Sequence, residues 1–191
     1  MSNEQPPRAQ LQMVWPERLL DRPPEVTLPE GYVLRNFRFQ EAPAYYALMD
    51  GAGFKEWNDD KLFPWFARLL PHGFFVIEHT PTGALVATAM ASRNPKPLHP
   101  EGGELGWVAA DAKHGGKGLG KAVCAAVVRS FLEAGFKRIY LLTDDWRLPA
   151  IKVYLQLGWD PFLFAPDMDE RWKIVCEQLK WPFTPEAWPK P

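Results

Sequence analysis

The sequence predicts an α/β domain, on three observations. A glycine-rich stretch, Gly115-Gly116-Lys117-Gly118-Leu119-Gly120-Lys121, stands between a strand-like segment and an apolar, alanine-rich helical one. Before it, three strand-like runs follow one another across short turns. After it, Arg138-Ile139-Tyr140-Leu141-Leu142-Thr143 reads as a further β-rich run and again leads into a helical pattern.

From Gly31 onward the elements are read in order. A strand is expected at Tyr32 to Phe37, followed by helical segments at about Glu41 to Asp50 and Asp60 to Leu70. Strands follow at Phe74 to His79, at Ala84 to Ser92 and at Glu104 to Ala109; the Pro81-Thr82-Gly83 turn makes a hairpin of the first two. In the third, Leu105, Trp107 and Ala109 alternate with Glu104, Gly106 and Val108, so Glu104 is expected on the face of Gly106 and Val108. The helix after the glycine loop runs from Lys121 to Ala134, with Val123, Val127, Val128, Phe131 and Leu132 at helical spacing. The Arg138 strand leads into a helix that carries Ala150, Val153, Tyr154 and Leu157 along one side and ends at Gly158, and a hairpin is expected within Pro161 to Leu179.

Before residue 30, Pro6, Pro7, Pro16, Pro23, Pro24 and Pro29 rule out a long helix, and Leu11, Met13, Val14, Trp15, Leu19 and Leu20 suit an extended arm packed on the domain. The expected division is therefore a proline-rich arm at 1–30, a domain at 31–180 and an extension at 181–191. The extension, Trp181-Pro182-Phe183 through Trp188, either folds back on the domain or belongs to an interface.

A strand that hands over to a helix through four glycines is a device for holding phosphate. Glycine lets backbone N–H groups converge on one point and lets a ligand approach without meeting a Cβ, and the helix start adds partial positive charge. Two nucleotide motifs fail on named residues. Gly115, Gly120 and Lys121 fit a G-x-x-x-x-G-K loop, but Ala122 follows where magnesium needs a Ser or Thr hydroxyl. A G-x-G-x-x-G fingerprint starting at Gly116 or Gly118 would close on Lys121 or Val123 in place of glycine.

The run from Val108 to Gly120 instead resembles the signature of the GNAT superfamily of N-acetyltransferases, Gln/Arg-x-x-Gly-x-Gly/Ala after a strand ending in valine. Gly118-Leu119-Gly120 supplies its second half, while Gly115 stands where Gln or Arg is usual. A second block is similar to the family's Asn-x-x-Ala-x-x-x-Tyr-x-x-x-Gly-Phe: Ala150, Tyr154, Gly158 and Trp159 fall on that spacing, and Arg147 replaces the Asn. The resemblance covers roughly residues 31 to 180 and is strongest over 104 to 163.

The resemblance implies a mixed, mainly antiparallel twisted sheet of about six to seven strands flanked by helices, with the Glu104 and Arg138 strands splayed around the pantetheine arm of coenzyme A. It implies acetyl transfer from acetyl-CoA to a primary amine of a small molecule or peptide, by direct attack in a ternary complex. The cofactor-binding set it implies is Val108, Ala110, Lys113, Gly115, Gly116, Lys117, Gly118, Leu119, Gly120, Lys121 and Arg147, the lysines supplying charge that the missing Gln or Arg does not. Tyr154 corresponds to the family's general acid. Glu104, four residues before Val108, lies where several members place a base, and an ammonium needs such a group because it has no lone pair. Carbonyl polarisation falls to a backbone N–H near Val108. A non-catalytic acyl-CoA-binding or sensor module is the alternative reading, and family members that dimerise through their late strands leave a homodimer open.

Acceptor recognition is expected around Phe54, Trp57, Asp59, Asp60, Asp167, Asp169 and Glu170, acidic and aromatic residues that suit an amine with an apolar body. A formal net charge of -1 gives no general attraction for nucleic acid. Apolar stretches such as Ala84 to Ala91 are too short to span a bilayer, so neither membrane nor nucleic acid is an expected partner and the expected location is cytoplasmic. Cys124 and Cys176 read as buried thiols, and His72, His79, His99 and His114 show no metal-ligand spacing, so no metal is expected.

Overall fold

The computed structural model describes residues 8–191. One seven-stranded sheet is built from β1 (Leu11–Val14), β2 (Tyr32–Asn36), β3 (Leu69–His79), β4 (Ala84–Arg93), β5 (Gly103–Ala110), β6 (Ile139–Thr143) and β7 (Asp160–Pro161), in the spatial order β2-β3-β4-β5-β6-β1-β7. All neighbours run antiparallel except β5 and β6. The mixed, mainly antiparallel sheet is therefore as expected. Helices α1 (Ala42–Gly51) and α2 (Asp59–Phe66) pack against one core cluster, which includes Phe74, Val76 and Met90. Helices α3 (Leu119–Glu133), α4 (Leu148–Leu157) and α5 (Met168–Leu179) gather around the other, with Ala87, Ala89, Ala91 and Leu105.

The chain alternation of β4 assigns these faces: Ala87, Ala89 and Ala91 are small, so α3 lies close over them, and Met90 points the opposite way. On α3, Val123, Val127 and Phe131 are fully buried at i, i+4 and i+8. Truncating Phe131 to alanine would cost about 3–5 kcal/mol. Its ring lies where a Cβ at Gly103 would be, so glycine is what lets α3 pack this ring directly on β5.

Two expectations about element type and bounds are corrected. Residues 168–179 form a helix and not the second half of a hairpin: Met168, Trp172, Val175 and Cys176 are buried at i, i+4, i+7 and i+8, a stripe diluted in the sequence by six charged neighbours from Asp167 to Glu177. The strand after α2 begins at Leu69, where the helix was expected to continue to Leu70, and the helix stops at Phe66 soon after Pro64. Within the proline-rich arm, Leu11 to Val14 pair with Tyr140 to Thr143 and so contribute a strand to the sheet interior; Pro6 and Pro7 lie outside the described residues. The C-terminal extension folds back, with Trp188 edge-on to Trp172 and Phe183 at 6.1 and 5.3 Å and the Leu163 N–H donating to Pro189 O at 3.0 Å.

The candidate active site between two splayed strands

Strands β5 and β6 pair only at Gly103 with Ile139 and Glu104 with Tyr140; beyond those residues they part. The gap is a cleft of about 340 Å³. Glu104, Gly106, Trp107 and Val108 line it from β5, Leu142 and Thr143 from β6, and Arg147, Ala150 and Tyr154 from the start of α4 onward.

A bulge shapes the β5 wall. Gly106 faces Met90 and Ala109 faces Thr88, so Trp107 and Val108 together oppose Ala89, and Trp107 takes φ 53°. A left-handed backbone at tryptophan costs about 1–2 kcal/mol. Phe54, Trp57 and Trp65 surround its ring edge-on at 5.7, 4.6 and 5.2 Å and hold it there. The bulge also corrects the expected alternation. Glu104 and Gly106 share a face, but Val108 packs against the α3 cluster while Trp107 and Ala109 join the α1 cluster.

Glu104 is buried, and its Oε2 accepts hydrogen bonds from Asn94 Nδ2 and from the Tyr140 hydroxyl at 3.1 Å. The single Tyr140 O–H proton is shared with Asn94 O at 2.5 Å, and the Tyr140 ring stacks on His99 at 4.1 Å. Burial first, then the Glu104 charge, pushes the Tyr140 phenol well up, so it stays a donor. His99, in the loop between β4 and β5, is buried. Its Nδ1 accepts from Arg138 Nε at 2.9 Å, its Nε2 meets Gln12 Oε1 at 2.8 Å, and desolvation followed by the Arg138 charge lowers its pKa to about 4. A neutral ring bonded on both sides is a fixed support for Tyr140.

Tyr154 is 5% exposed, at the cleft wall. Burial raises its pKa well above that of a free phenol, the neighbouring Cys124 adds to the rise and Arg147 opposes it. Its proton is therefore retained at neutral pH. Arg147 precedes α4, pairs with Asp144 at 3.1 Å and lies over the rings of Phe54 at 4.3 Å and Trp146 at 4.4 Å. The loop that carries it is tied to α5 by Arg171, whose Nε and Nη2 donate to the two oxygens of Asp145 at 3.0 and 2.6 Å.

The far end of β5 leads through Ala110 into the glycine loop. Asp111 N–H donates to Val86 O at 2.8 Å, and Asp111 Oδ1 caps a turn at Ala112–His114 by accepting from Lys113 N–H at 2.9 Å. Gly116 and Gly118 both adopt φ 75°, which turns successive peptide groups toward one side. Helix α3 then starts with neither a capping side chain nor an acidic residue in its first turn. Its first N–H groups and dipole are left for an anion. A Cβ at Gly116, Gly118 or Gly120 would meet nothing within 4 Å, and Lys113, Lys117 and Lys121 form no ion pair among the described residues. This cradle of open glycines, free N–H groups and lysines fits a pyrophosphate. Leu119 offers only its backbone, since its side chain is core. Beside the loop, Lys117, Gly118 and Lys121 share a cavity of about 570 Å³ with Gln156 and Leu157 of α4 and with the segment 24–29. His114 accepts or donates at Nδ1 with the Tyr32 hydroxyl at 2.7 Å.

Residues 35–159 match the model of the acetyltransferase (GNAT) family. The chain belongs to that family. Two curated relatives of this GNAT protein are mycothiol acetyltransferases. One from Thermomonospora curvata is 29% identical over 79% of this chain and 51% of its own length, and one from Frankia casuarinae is 27% identical over 78% and 47%. The chain thus spans about half the length of the curated relatives it matches. Solved structures share its fold: a GCN5-related N-acetyltransferase from Sphaerobacter thermophilus has a TM-score of 0.62 at 20% identity, covering 81% of this chain and 49% of that one. yncA from Salmonella typhimurium, solved with its cofactor acetyl-CoA, has a TM-score of 0.56 at 18% identity, covering 68% of this chain and 79% of that one.

Of the GNAT site residues expected from sequence, Glu104, Val108, Arg147 and Tyr154 meet at the one cleft, and the glycines and lysines meet at the α3 start. The acceptor expectation changes. Phe54 reaches the cleft, but Asp59 accepts from the Tyr46 hydroxyl, Asp167 pairs with Arg171, and none of Asp59, Asp60, Asp167, Asp169 and Glu170 lines it. Asn94, Arg68, Lys96 and Tyr140 line or support the cleft and were not singled out. Tyr140 lay within a recognised β-run, where a buried tyrosine is a signal for a polar partner; Asn94 and Arg68 carried none.

Proposed function

We propose that the protein is an acetyl-CoA-dependent N-acetyltransferase that acts on a primary amine of a small molecule or peptide by direct attack in a ternary complex. The observation that carries this reading is that Glu104 on β5 and Tyr154 on α4, a proton acceptor and a retained proton, line one cleft, and that β5 links it to an open anion cradle. Acetyl-CoA supplies an activated acetyl group as a thioester when bound. The glycine loop, with Lys113, Lys117 and Lys121, holds the pyrophosphate through backbone N–H groups and charge. Val108 and Arg147 line the cleft, and Ala110 ends β5 between it and the cradle.

Glu104, through its Oε1, takes a proton from the acceptor ammonium, directly or through a water, while Asn94 and Tyr140 hold Oε2. A backbone N–H near Val108 polarises the carbonyl under attack. Tyr154 carries at its hydroxyl the proton that the departing sulfur needs. The nitrogen sheds two protons in all. The first goes from the ammonium to Glu104 before attack, and the second leaves the nitrogen as the tetrahedral adduct collapses and replaces the proton that Tyr154 gives to the sulfur. The amide, the free thiol and the Tyr154 hydroxyl therefore all end neutral. Titration calorimetry with acetyl-CoA, with magnesium and ATP as control, tests the donor half, and thiol release with a panel of amines tests the transfer. Binding without thiol release from any amine would return the reading to an acyl-CoA-binding module. Failure to bind acetyl-CoA at all would remove both.

A further inference from the structure

Three cations line the cleft, and they are placed unequally. Arg147 is matched by Asp144. Arg68 and Lys96 form no ion pair among the described residues, although both line the same cavity as Glu104. Unpaired cations beside a buried carboxylate are the opposite of what a simple amine pocket needs, because they repel an ammonium. They are what a zwitterion needs.

Asn94 fixes the spacing. Its Nδ2 donates to Glu104 Oε2 while its Oδ1 accepts from Arg68 Nη1 at 3.2 Å, so a single buried amide separates the carboxylate from the guanidinium. The Arg68 charge is also felt at the Tyr140 hydroxyl, where it opposes the rise caused by burial and Glu104. We propose that the acceptor is an α-amino carboxylate, with its ammonium at Glu104 and its carboxylate at Arg68. This rests on the acetyltransferase reading and narrows it. In such an acceptor the two charges are one carbon apart, a separation comparable to that across the Asn94 amide. The planar guanidinium presents two parallel N–H groups to a carboxylate, and Lys96 adds a second positive charge. Arg68 lies over the Trp65 ring at 5.6 Å, so its fork is held against an aromatic surface on which an apolar side chain also packs. The amino end of a peptide lacks the α-carboxylate and leaves Arg68 unanswered. A free amino acid satisfies both ends.

The test is thiol release from acetyl-CoA with each of the encoded amino acids, its carboxamide and its decarboxylated amine. The preferred amino acid should exceed its own carboxamide and amine in kcat/KM by about 10- to 100-fold, the range of a charge-assisted hydrogen-bonded contact. In Arg68→Met that ratio should fall close to one, and in Arg68→Lys it should be partly retained. Arg68 is exposed and contributes no core packing, so both variants should fold, which circular dichroism and the acetyl-CoA titration check. A carboxamide or amine that matches the amino acid overturns the proposal and leaves the acetyltransferase reading standing. A carboxylate preference that survives in Arg68→Met overturns it too. Absence of turnover with every amino acid overturns it as well, and the acetyl-CoA titration then shows whether the wider reading falls with it.

Discussion

Replacing Gly120 with alanine should make the protein more stable and worse at binding acetyl-CoA. Gly120 is the second residue of α3, its φ is not positive, and a Cβ there would meet nothing within 4 Å. The substitution therefore strains nothing and removes a glycine from a helix, a gain of about 0.5–1 kcal/mol. In a domain of this size that raises the melting temperature by about 1–4 °C. The open space is where a phosphate would accept from the first N–H groups of the helix, and a methyl group there forces the anion away. Loss of a hydrogen bond to a charged group is worth about 1.5–3 kcal/mol, so the acetyl-CoA affinity should fall about 10- to 150-fold. Gly118→Ala gives the matched control, since it must adopt φ 75° and should lose about 1–2 kcal/mol of stability. Differential scanning calorimetry and titration calorimetry on the same preparations read both quantities. If Gly120→Ala were stabilised and bound acetyl-CoA within twofold of the parent, the phosphate would not approach this helix start and the cradle argument would be refuted.

Tyr154→Phe should lower kcat by about 10²–10⁴-fold with little change in acetyl-CoA affinity, because the hydroxyl is asked only for a proton; steady-state kinetics with the best acceptor measure this, and an unchanged kcat would assign the proton to another donor. Acid should loosen the loop that carries Arg147. Asp145 is held below its ordinary pKa chiefly by its hydrogen bonds to Arg171, and Glu41 is held down by those to Arg35. A depressed folded-state pKa means stability that is present above the unfolded value near 4 and is lost as pH falls through the folded value. Urea unfolding should thus show stability declining below about pH 4, and Asp145→Asn should cost about 1.5–3 kcal/mol at pH 7 by stripping a buried guanidinium of its main acceptor.

The sequence and the structure agree best where a residue's backbone alone carries the information. The glycine loop, the strand before it and the helix after it were legible because Gly116 and Gly118 need a left-handed turn and Val123, Val127 and Phe131 keep helical period. Helix α5 was not, since its apolar stripe is narrow and its other faces are charged. The four residues Leu11 to Val14 were too short and too proline-flanked to be told from an arm, and only pairing with β6 makes them a strand. At the site, Glu104 and Tyr154 were named because the blocks around them resemble those of the GNAT family. The partners that set their behaviour were not, because Asn94, Arg68 and His99 reach them only through tertiary contact. The Trp107 bulge defeated the alternation rule in the same way: its cause is the aromatic cage from α2 and the segment before it, elements distant in sequence from β5.

The position of β1 has a consequence for how the chain folds as it is made. This strand is made before every other strand of the sheet, yet both of its neighbours, β6 and β7, are the last two to be made. At ~5–20 residues per second, Leu11 to Val14 wait several seconds before Tyr140 emerges to pair with them. During that interval the hairpins β2-β3-β4-β5 and their helices can form locally, while an apolar strand stays without a sheet. Closing the sheet is then a long-range event, slow in contact-order terms, and it completes the wall of the cleft last. Nascent chains should therefore acquire resistance to protease in two steps, and the capacity to bind acetyl-CoA should arrive only with the second.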